Sequence, residues 1–248
     1  MHNVLILHAP GTNRDGEAAF AVSEAGGIPH IRPLASLRRE KVSWRNYSML
    51  VLPGGFSYGD ALGAGRLWAL DLDTWFKEQI HEFAASGKPV IGICNGFQAL
   101  VKAGLLPGNG FSATLTFNAS GKFECRQVWL NPHPSNASPW LEGLPPILCP
   151  VAHGEGRFLM QNAQDLCSTQ IALTYAFKDG SPAQGAYPNN PNGSPGDVAG
   201  ITNQEGNILG LMPHPEDHIY DYQHPLWTRG ERGGHGLSLF QNGMRMLK

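Results

Sequence analysis

The sequence predicts one α/β domain spanning residues 1–248: an open, mostly parallel twisted sheet with helices on both faces, plus a mixed or antiparallel extension. Three observations carry this expectation. The apolar runs of the first half are unbroken by polar alternation, as in parallel strands covered on both faces. Helical patterns fall between those runs, and strand-helix alternation implies a parallel sheet. After Pro107 the character changes to short strand-like stretches joined by turns, with little helix.

In chain order, Asn3 to Ala9 and Ser48 to Pro53 are apolar runs rich in Val, Ile and Leu, and Val90 to Ile93 is a third. The clearest helical pattern is Asp73 to Ser86. There Trp75, Phe76, Ile80, Phe83 and Ala84 recur at helical spacing, Asp73 or Thr74 can cap the start, and Gly87 can end it. Strand-like stretches follow at Ser112 to Asn118, Phe123 to Leu130, Ile147 to Ala152 and Ile171 to Ala176. Val198 to Thr202 and Ile208 to Leu211 are expected to return the chain to the main sheet, and Gly236 to Leu247 to close it with a helix. Lys178 to Asp197 is a long stretch dense in Gly, Pro, Asn and Ser; inside a compact enzyme such a loop is either functional or disordered.

With 248 residues the chain can bury a sizeable core. It is 42% hydrophobic and 15% charged, with a formal net charge of −2, so nothing points to a nucleic-acid or membrane surface. The opening MHNVLILHAP has a short apolar run and no basic flank, and reads as a first strand rather than a signal peptide. No later stretch approaches the roughly 18 apolar residues of a membrane helix, so a cytoplasmic protein is expected. Cys94, Cys125, Cys149 and Cys167 are far apart and lack CxxC spacing, which speaks against a disulfide framework or a metal site. Asn118, Asn136 and Asn192 each begin an Asn-x-Ser triplet, read here only as turn chemistry.

GICNGFQAL, residues 92 to 100, carries the chemistry. In open parallel sheets reactive groups collect at the carboxyl ends of strands. Cys94 stands at such an end, where a sharp turn would lift the thiol out of the sheet. The start of the following helix offers free N–H groups and a positive dipole end, both of which favour thiolate. Gly92 and Gly96 fit a turn with no room for side chains beside the nucleophile. GLMPHPED, 210 to 217, places His214 just past a strand, and Pro215 is expected to keep the chain extended there. In extended chain Glu216 lies on the His214 side and Asp217 on the other. Cys94, His214 and Glu216 then match the logic of nucleophile, base and orienter. Oxyanion donors are expected from LPGGFSYGD, 52 to 60, whose Gly54 and Gly55 let backbone N–H groups approach a substrate.

With LPGGFSYGD, GICNGFQAL, AHGEGRF and GLMPHPE in that order, the chain resembles the triad-type (class I) glutamine amidotransferases. More narrowly, it resembles the glutaminase subunits of phosphoribosylformylglycinamidine synthases, over most of its length. The resemblance implies a flavodoxin-like sheet, with Cys94 as nucleophile, His214 as base and Glu216 as its orienter. It implies oxyanion N–H groups at Gly55 and Asn95, a glutamine pocket lined by Gly54 and Gln98, and a border to that pocket or to the partner contact at His153 to Arg157, with His153 and Glu155 as substrate-binding candidates. The implied reaction is hydrolysis of glutamine to glutamate and ammonia through a glutamyl thioester. Ammonia would pass to a formylglycinamidine ribonucleotide synthetase subunit, and a small accessory subunit is a further candidate partner. ATP and Mg would belong to the synthetase. In keeping with this, the chain has no phosphate loop with its Lys and Ser/Thr, so no cofactor is expected here.

Two places depart from the family pattern. The stretch after GGFSYGD, expected to continue a helix with Tyr-Leu-Arg, reads Ala61-Leu62-Gly63, and Asp217 stands where Arg usually closes the motif. Two competing readings keep the fold: a non-catalytic regulatory subunit, and a cysteine peptidase or deglycase of the same superfamily. A glutaminase assay separates all three.

Overall fold

The computed structural model describes residues 2–108, 110–161 and 170–247. The first half runs β1 (Asn3–His8), α1 (Asp15–Glu24), β2 (Ile28–Pro33), α2 (Leu34–Glu40), β3 (Met49–Leu52), α3 (Arg66–Trp75), α4 (Lys77–Ala85), β4 (Val90–Ile93) and α5 (Asn95–Lys102). The second half runs β5 (Ala113–Thr116), β6 (Glu124–Pro132), β7 (Ile147–His153), β8 (Arg157–Met160), β9 (Ile171–Ala176), β10 (Val198–Thr202), β11 (Ile208–Leu211) and α6 (Leu237–Arg245). Among the described residues nine strands form one sheet in the order β2-β1-β3-β4-β11-β10-β9-β6-β7, while β5 and β8 pair separately.

The sheet has two characters. From β2 through β11 every pairing is parallel, and from β11 through β7 every pairing is antiparallel. Strands β3, β4 and β11 are buried along their whole length, which is why they read as continuous apolar runs. The predicted return of the chain through β10 and β11 is observed. The edge strand β2, IPHIRP, is half-exposed and carries two prolines, which an edge tolerates and which hide it from a reading of apolar runs.

The helix expected over Asp73 to Ser86 is instead two helices, and the first begins upstream at Arg66. Phe76 leaves helical geometry at φ −132° and stacks on Trp44 with centroids 5.5 Å apart. The core face of α3 is Trp68, Ala69 and Leu72, upstream of the predicted start. The stretch after GGFSYGD does not continue a helix; it turns through Gly63 and Gly65, both at positive φ.

Helix α5 lies directly on the sheet because glycines make room for it. A Cβ at Gly96 would fall 1.9 Å from the Leu52 carbonyl oxygen, one at Gly92 2.4 Å from Leu100, and one at its sheet partner Gly210 2.1 Å from Phe97. This close seat fixes where the turn between β4 and α5 emerges. Buried side chains from Val4 to Phe240 form one cluster. Among the described residues no helix is long and apolar enough to cross a membrane.

Candidate active site

Cys94 links β4 to α5 at φ 48° and ψ −104°, a conformation that side chains with a Cβ rarely adopt and that is characteristic of strained functional positions. The surroundings hold it there: its N–H donates to the Leu211 carbonyl at 2.8 Å, and its carbonyl accepts from Gln98 N–H at 3.0 Å. The sulfur lies 3.8 Å from the Ala152 carbonyl oxygen, at the end of β7.

His214 follows β11, its N–H donating to the Pro150 carbonyl at 2.8 Å. Beyond it the chain is not extended. Pro215–Asp217 is a single 3₁₀ turn, for which the fixed φ of proline at the first position is preset. Within this turn Glu216 folds back so that Oε1 lies 2.7 Å from His214 Nδ1, while the Asp217 carboxylate faces Arg14 Nε at 3.6 Å. The acid expected beside His214 is the acid found, but a tight turn places it rather than strand alternation. Asp217, the departure from the family pattern, meets a cation from the start of α1.

Gly54 is the spacer of this group. A Cβ there would lie 2.6 Å from His214 Cε1 and 3.5 Å from Cys94 Cβ. His214 and Glu216 are buried, and His214 Nε2 and Glu216 Oε2 have no hydrogen-bond partner among the described residues. Burial disfavours charge on the imidazole, yet Glu216 and then Cys94 outweigh it and raise its pKa well above the ordinary histidine value. The ring is therefore a group that holds a proton on Nδ1 for Glu216 and offers Nε2 to the sulfur side.

Gly55 stands at φ 146°, where a Cβ would fall 2.7 Å from Asn13 N, so only glycine fits. Asn95 is the first residue of α5, and the first N–H groups of a helix have no partner within it. Its side chain is tied down: Oδ1 accepts from Ser57 N–H at 3.2 Å, and Nδ2 donates to Asp60 at 3.1 Å and to Gln98 Oε1 at 2.9 Å. Gln98 in turn donates to the Glu155 carbonyl at 2.6 Å. Both ends of this buried amide are thus engaged within the protein. Glu155 Oε1 accepts from Ala64 N–H at 3.2 Å.

His153 ends β7, buried beneath the same site. Asn118 Oδ1 accepts from Gly156 N–H and lies 3.0 Å from His153 Nδ1, which assigns the ring proton to Nδ1. Its Nε2 is buried without a partner among the described residues. Burial first, and the nearby His214 second, lower its pKa to about 3, so it stays neutral.

Sequence reasoning missed the asparagines that hold this wall. Asn118 Nδ2 donates to the carbonyls of His153 and Lys122. Asn192 Nδ2 donates to the Gly156 carbonyl at 2.8 Å and to the Tyr175 hydroxyl at 2.9 Å. Burial raises the pKa of Tyr175, and the Cys94 charge adds to it. Both asparagines begin Asn-x-Ser triplets, and their burial cannot be read from such a pattern. The loop 178–197 is built around Asn192 and around Asp197, whose carboxylate accepts from the N–H groups of Gln184 and Gly185. Of the other cysteines, Cys149 is buried and Cys125 exposed, while Cys167 lies outside the described residues. Among the described residues, His214, Glu216 and Asp217 are grouped closely enough for a cation, with donor atoms within 4.8 Å. Their hydrogen bond and the Arg14 contact already account for that closeness.

The profile of the CobB/CobQ-like glutamine amidotransferase domain matches residues 1–247. The chain belongs to this family. It is 52% identical over 265 residues to the phosphoribosylformylglycinamidine synthase subunit PurQ of Treponema denticola, covering 98% of each chain. It is 40% identical over 249 residues to the PurQ subunit of Dehalococcoides mccartyi, covering 98% of this chain and 97% of the other. Among solved structures it is similar to a chain in the PurLQS structure from Thermotoga maritima, with a TM-score of 0.79, 31% identity and complete coverage of both chains. The fold alone extends further. A glutamine amidotransferase from Thermotoga maritima shares it at 16% identity and a TM-score of 0.52, over 92% of this chain and 81% of the other.

Proposed function

We infer that this chain is the glutaminase subunit of a phosphoribosylformylglycinamidine synthase, acting in purine biosynthesis as one unit over residues 1–248. The observation that carries the reading is the convergence of Cys94, His214 and Glu216 at the ends of adjacent parallel strands, in a chain 52% identical to a PurQ subunit.

The geometry supports the following course. Cys94 Sγ attacks the side-chain amide carbon of glutamine, and the carbonyl electrons move to an oxyanion held by the N–H groups of Gly55 and Asn95. Collapse of this intermediate breaks the C–N bond as His214 Nε2 delivers a proton to the departing nitrogen, giving ammonia and a glutamyl thioester. His214 then takes a proton from water, which attacks the thioester, and glutamate leaves as the C–S bond breaks and the pair of Cys94 thiolate and protonated His214 is restored. Glu216 holds the Nδ1 proton throughout and stabilises the imidazolium. Gly54 leaves space between ring and sulfur, Gln98 and Glu155 form the wall behind Asn95, and the bare Nε2 of neutral His153 accepts a hydrogen bond from the substrate amide.

Ammonia passes to a synthetase subunit that makes formylglycinamidine ribonucleotide from formylglycinamide ribonucleotide, with a small accessory subunit completing the assembly. The PurLQS structure of the Thermotoga maritima neighbour supports such partners. ATP and Mg are used by the synthetase, this chain needs no cofactor or metal, and the complex is cytoplasmic. Replacing Cys94 with Ala tests the reading: in the assembled complex it abolishes glutamine-dependent synthesis while ammonia-dependent synthesis stays close to wild type. If external ammonia fails to rescue, Cys94 is structural. A wild-type chain that cleaves peptides or glycated amines but not glutamine is instead the peptidase or deglycase of this superfamily.

A further inference from the structure

The segment between Gly55 and α3 runs in an unusual backbone conformation. Tyr58, Asp60 and Leu62 have φ of 58°, 52° and 63°, and Gly59, Gly63 and Gly65 also lie at positive φ. Three non-glycine residues in left-handed geometry within five positions persist only where the surroundings over-determine them. Tyr58 is held by the Pro10 carbonyl and by Asp71, and Asp60 is held by Asn95. This buried amide has one acceptor oxygen and two donor hydrogens, and all are used: Ser57 N–H on Oδ1, Asp60 and Gln98 Oε1 on Nδ2. Ser57 is tied on its far side to Thr12, hydroxyl to hydroxyl at 3.0 Å. The segment is a strap that begins at one oxyanion donor, Gly55, and is fastened at Asp60 to the side chain of the other, Asn95.

We propose that Asp60 is a positioning residue for the oxyanion hole, its carboxylate holding the strap, and with it Gly55, in register with the N–H of Asn95. The proposal rests on the glutaminase reading of the site. It assigns a role to the last residue of GGFSYGD that neither the nucleophile nor the base requires. The charges that face Asp60 are Glu155 from the turn after β7 and Lys102 from α5, with Arg66 of α3 beside Lys102. Burial and then Glu155 raise Asp60 to about 6, against the pull of the Asn95 bond and Lys102. Asp60 is thus ionised at neutral pH and becomes protonated as pH falls through about 6. A carboxylate is a stronger acceptor than a carboxylic acid, so acidification loosens the fastening.

The test compares Asp60→Asn and Asp60→Ala with wild type. Glutamine turnover is measured in the complex with the synthetase from about pH 5 to about 9. Loss of a direct oxyanion donor costs about 10²- to 10³-fold, so a residue acting through one is expected to cost less: about 10- to 10²-fold in kcat for Asp60→Ala, with KM within about threefold. Asp60→Asn keeps an acceptor for Asn95 and restores most of kcat, but lacks the decline near pH 6 that wild type shows. Amide hydrogen exchange on the full chain, read without glutamine, gives a second measure. Exchange at Ser57 N–H is faster in Asp60→Ala, and in wild type it rises below about pH 6 beyond the intrinsic rate. The proposal is overturned if Asp60→Asn shows the wild-type acid limb, if Asp60→Ala raises KM as much as it lowers kcat, or if Ser57 exchange is unmoved. Failure of the glutaminase reading looks different: wild-type turnover is missing while the exchange results hold.

Discussion

His214 and His153 cap the two halves of one sheet. Both are 3% exposed, and their pKa values are driven in opposite directions. His214 follows β11, the last parallel strand, and meets a carboxylate and a thiol. His153 ends β7, the outermost antiparallel strand, and meets an asparagine. Burial works against charge on both rings, so burial cannot be what separates them; the partner is. Where environments push like groups apart, acid-base roles can be assigned. The parallel half presents the groups that change charge. The antiparallel half presents neutral amides and a phenol, Asn118, Asn192 and Tyr175, that hold shape without competing for protons.

The strongest way to break this division is to remove each histidine in turn. In the assembled complex at saturating glutamine, His214→Ala is expected to cost on the order of 10³-fold or more in kcat, since the group proposed as both base and proton donor is lost, and His153→Gln about tenfold or less. Equal losses would mean the two halves share the chemistry. Within the parallel half, Glu216→Gln is expected to cost about 10- to 10³-fold, or roughly 1.4 to 4 kcal/mol of barrier, because a thiol leans less on a strong base than a hydroxyl does. Asp217→Asn loses only a partly exposed pairing with Arg14 and is expected to change kcat by less than about threefold. A larger loss at Asp217 would place the orienting role on the wrong acid.

The opposite shifts also predict opposite pH dependences of stability. An unfolded histidine titrates near about 6.5, while folded His153 titrates at about 3, so between these values the unfolded chain binds more protons and stability falls as pH falls. Between pH 7 and pH 5 this one group removes about 2 kcal/mol. For His214 the sign reverses: its raised pKa adds stability below about 6.5, which is lost as pH climbs through the folded value. Denaturant unfolding of wild type and His153→Gln at both pH values checks the first: the variant loses less stability on acidification. Parallel curves would mean His153 is not held neutral.

How much of this is legible in the sequence also divides along the sheet. The elbow at Cys94 is legible because glycines on both sides of a cysteine at the end of an apolar run leave few alternatives. Strands β3, β4 and β11 announce themselves by burial on both faces. The pairing of Glu216 with His214 holds through a turn and not through extended chain, because a proline that forbids continuing one structure can start another. The break at Phe76 depends on Trp44, far off in sequence, and local periodicity cannot report it. Asn118 and Asn192 are hardest, since an asparagine in a turn motif looks the same whether it is exposed or, as here, buried with 3% and 0% exposure. Their importance lies wholly in tertiary partners.

The smallest expected effect concerns two cysteines on neighbouring antiparallel strands. Cys125 on β6 is exposed, and Cys125→Ser is expected to change stability by less than about 0.5 kcal/mol and leave turnover unchanged. Cys149 on β7 is fully buried, and burial, then Glu216 and Asp217, raise its thiol pKa well above the ordinary value, so it stays an uncharged apolar filler. A serine there buries a hydroxyl, which costs about 1 to 3 kcal/mol if it finds no partner. One acceptor nearby is open, since Glu216 Oε2 has no hydrogen bond among the described residues. If the new hydroxyl reaches that oxygen, the stability cost shrinks but part of the carboxylate's charge is drawn from His214, and kcat falls by a few-fold, well short of the Glu216→Gln loss. Unfolding and turnover measured together distinguish the outcomes: lost stability with full turnover means the hydroxyl is orphaned, and kept stability with reduced turnover means it has joined the triad. A turnover loss as large as that of Glu216→Gln would show that the antiparallel half takes part in the charge arrangement, and the contrast between the two histidines would no longer mark a boundary between chemistry and scaffold.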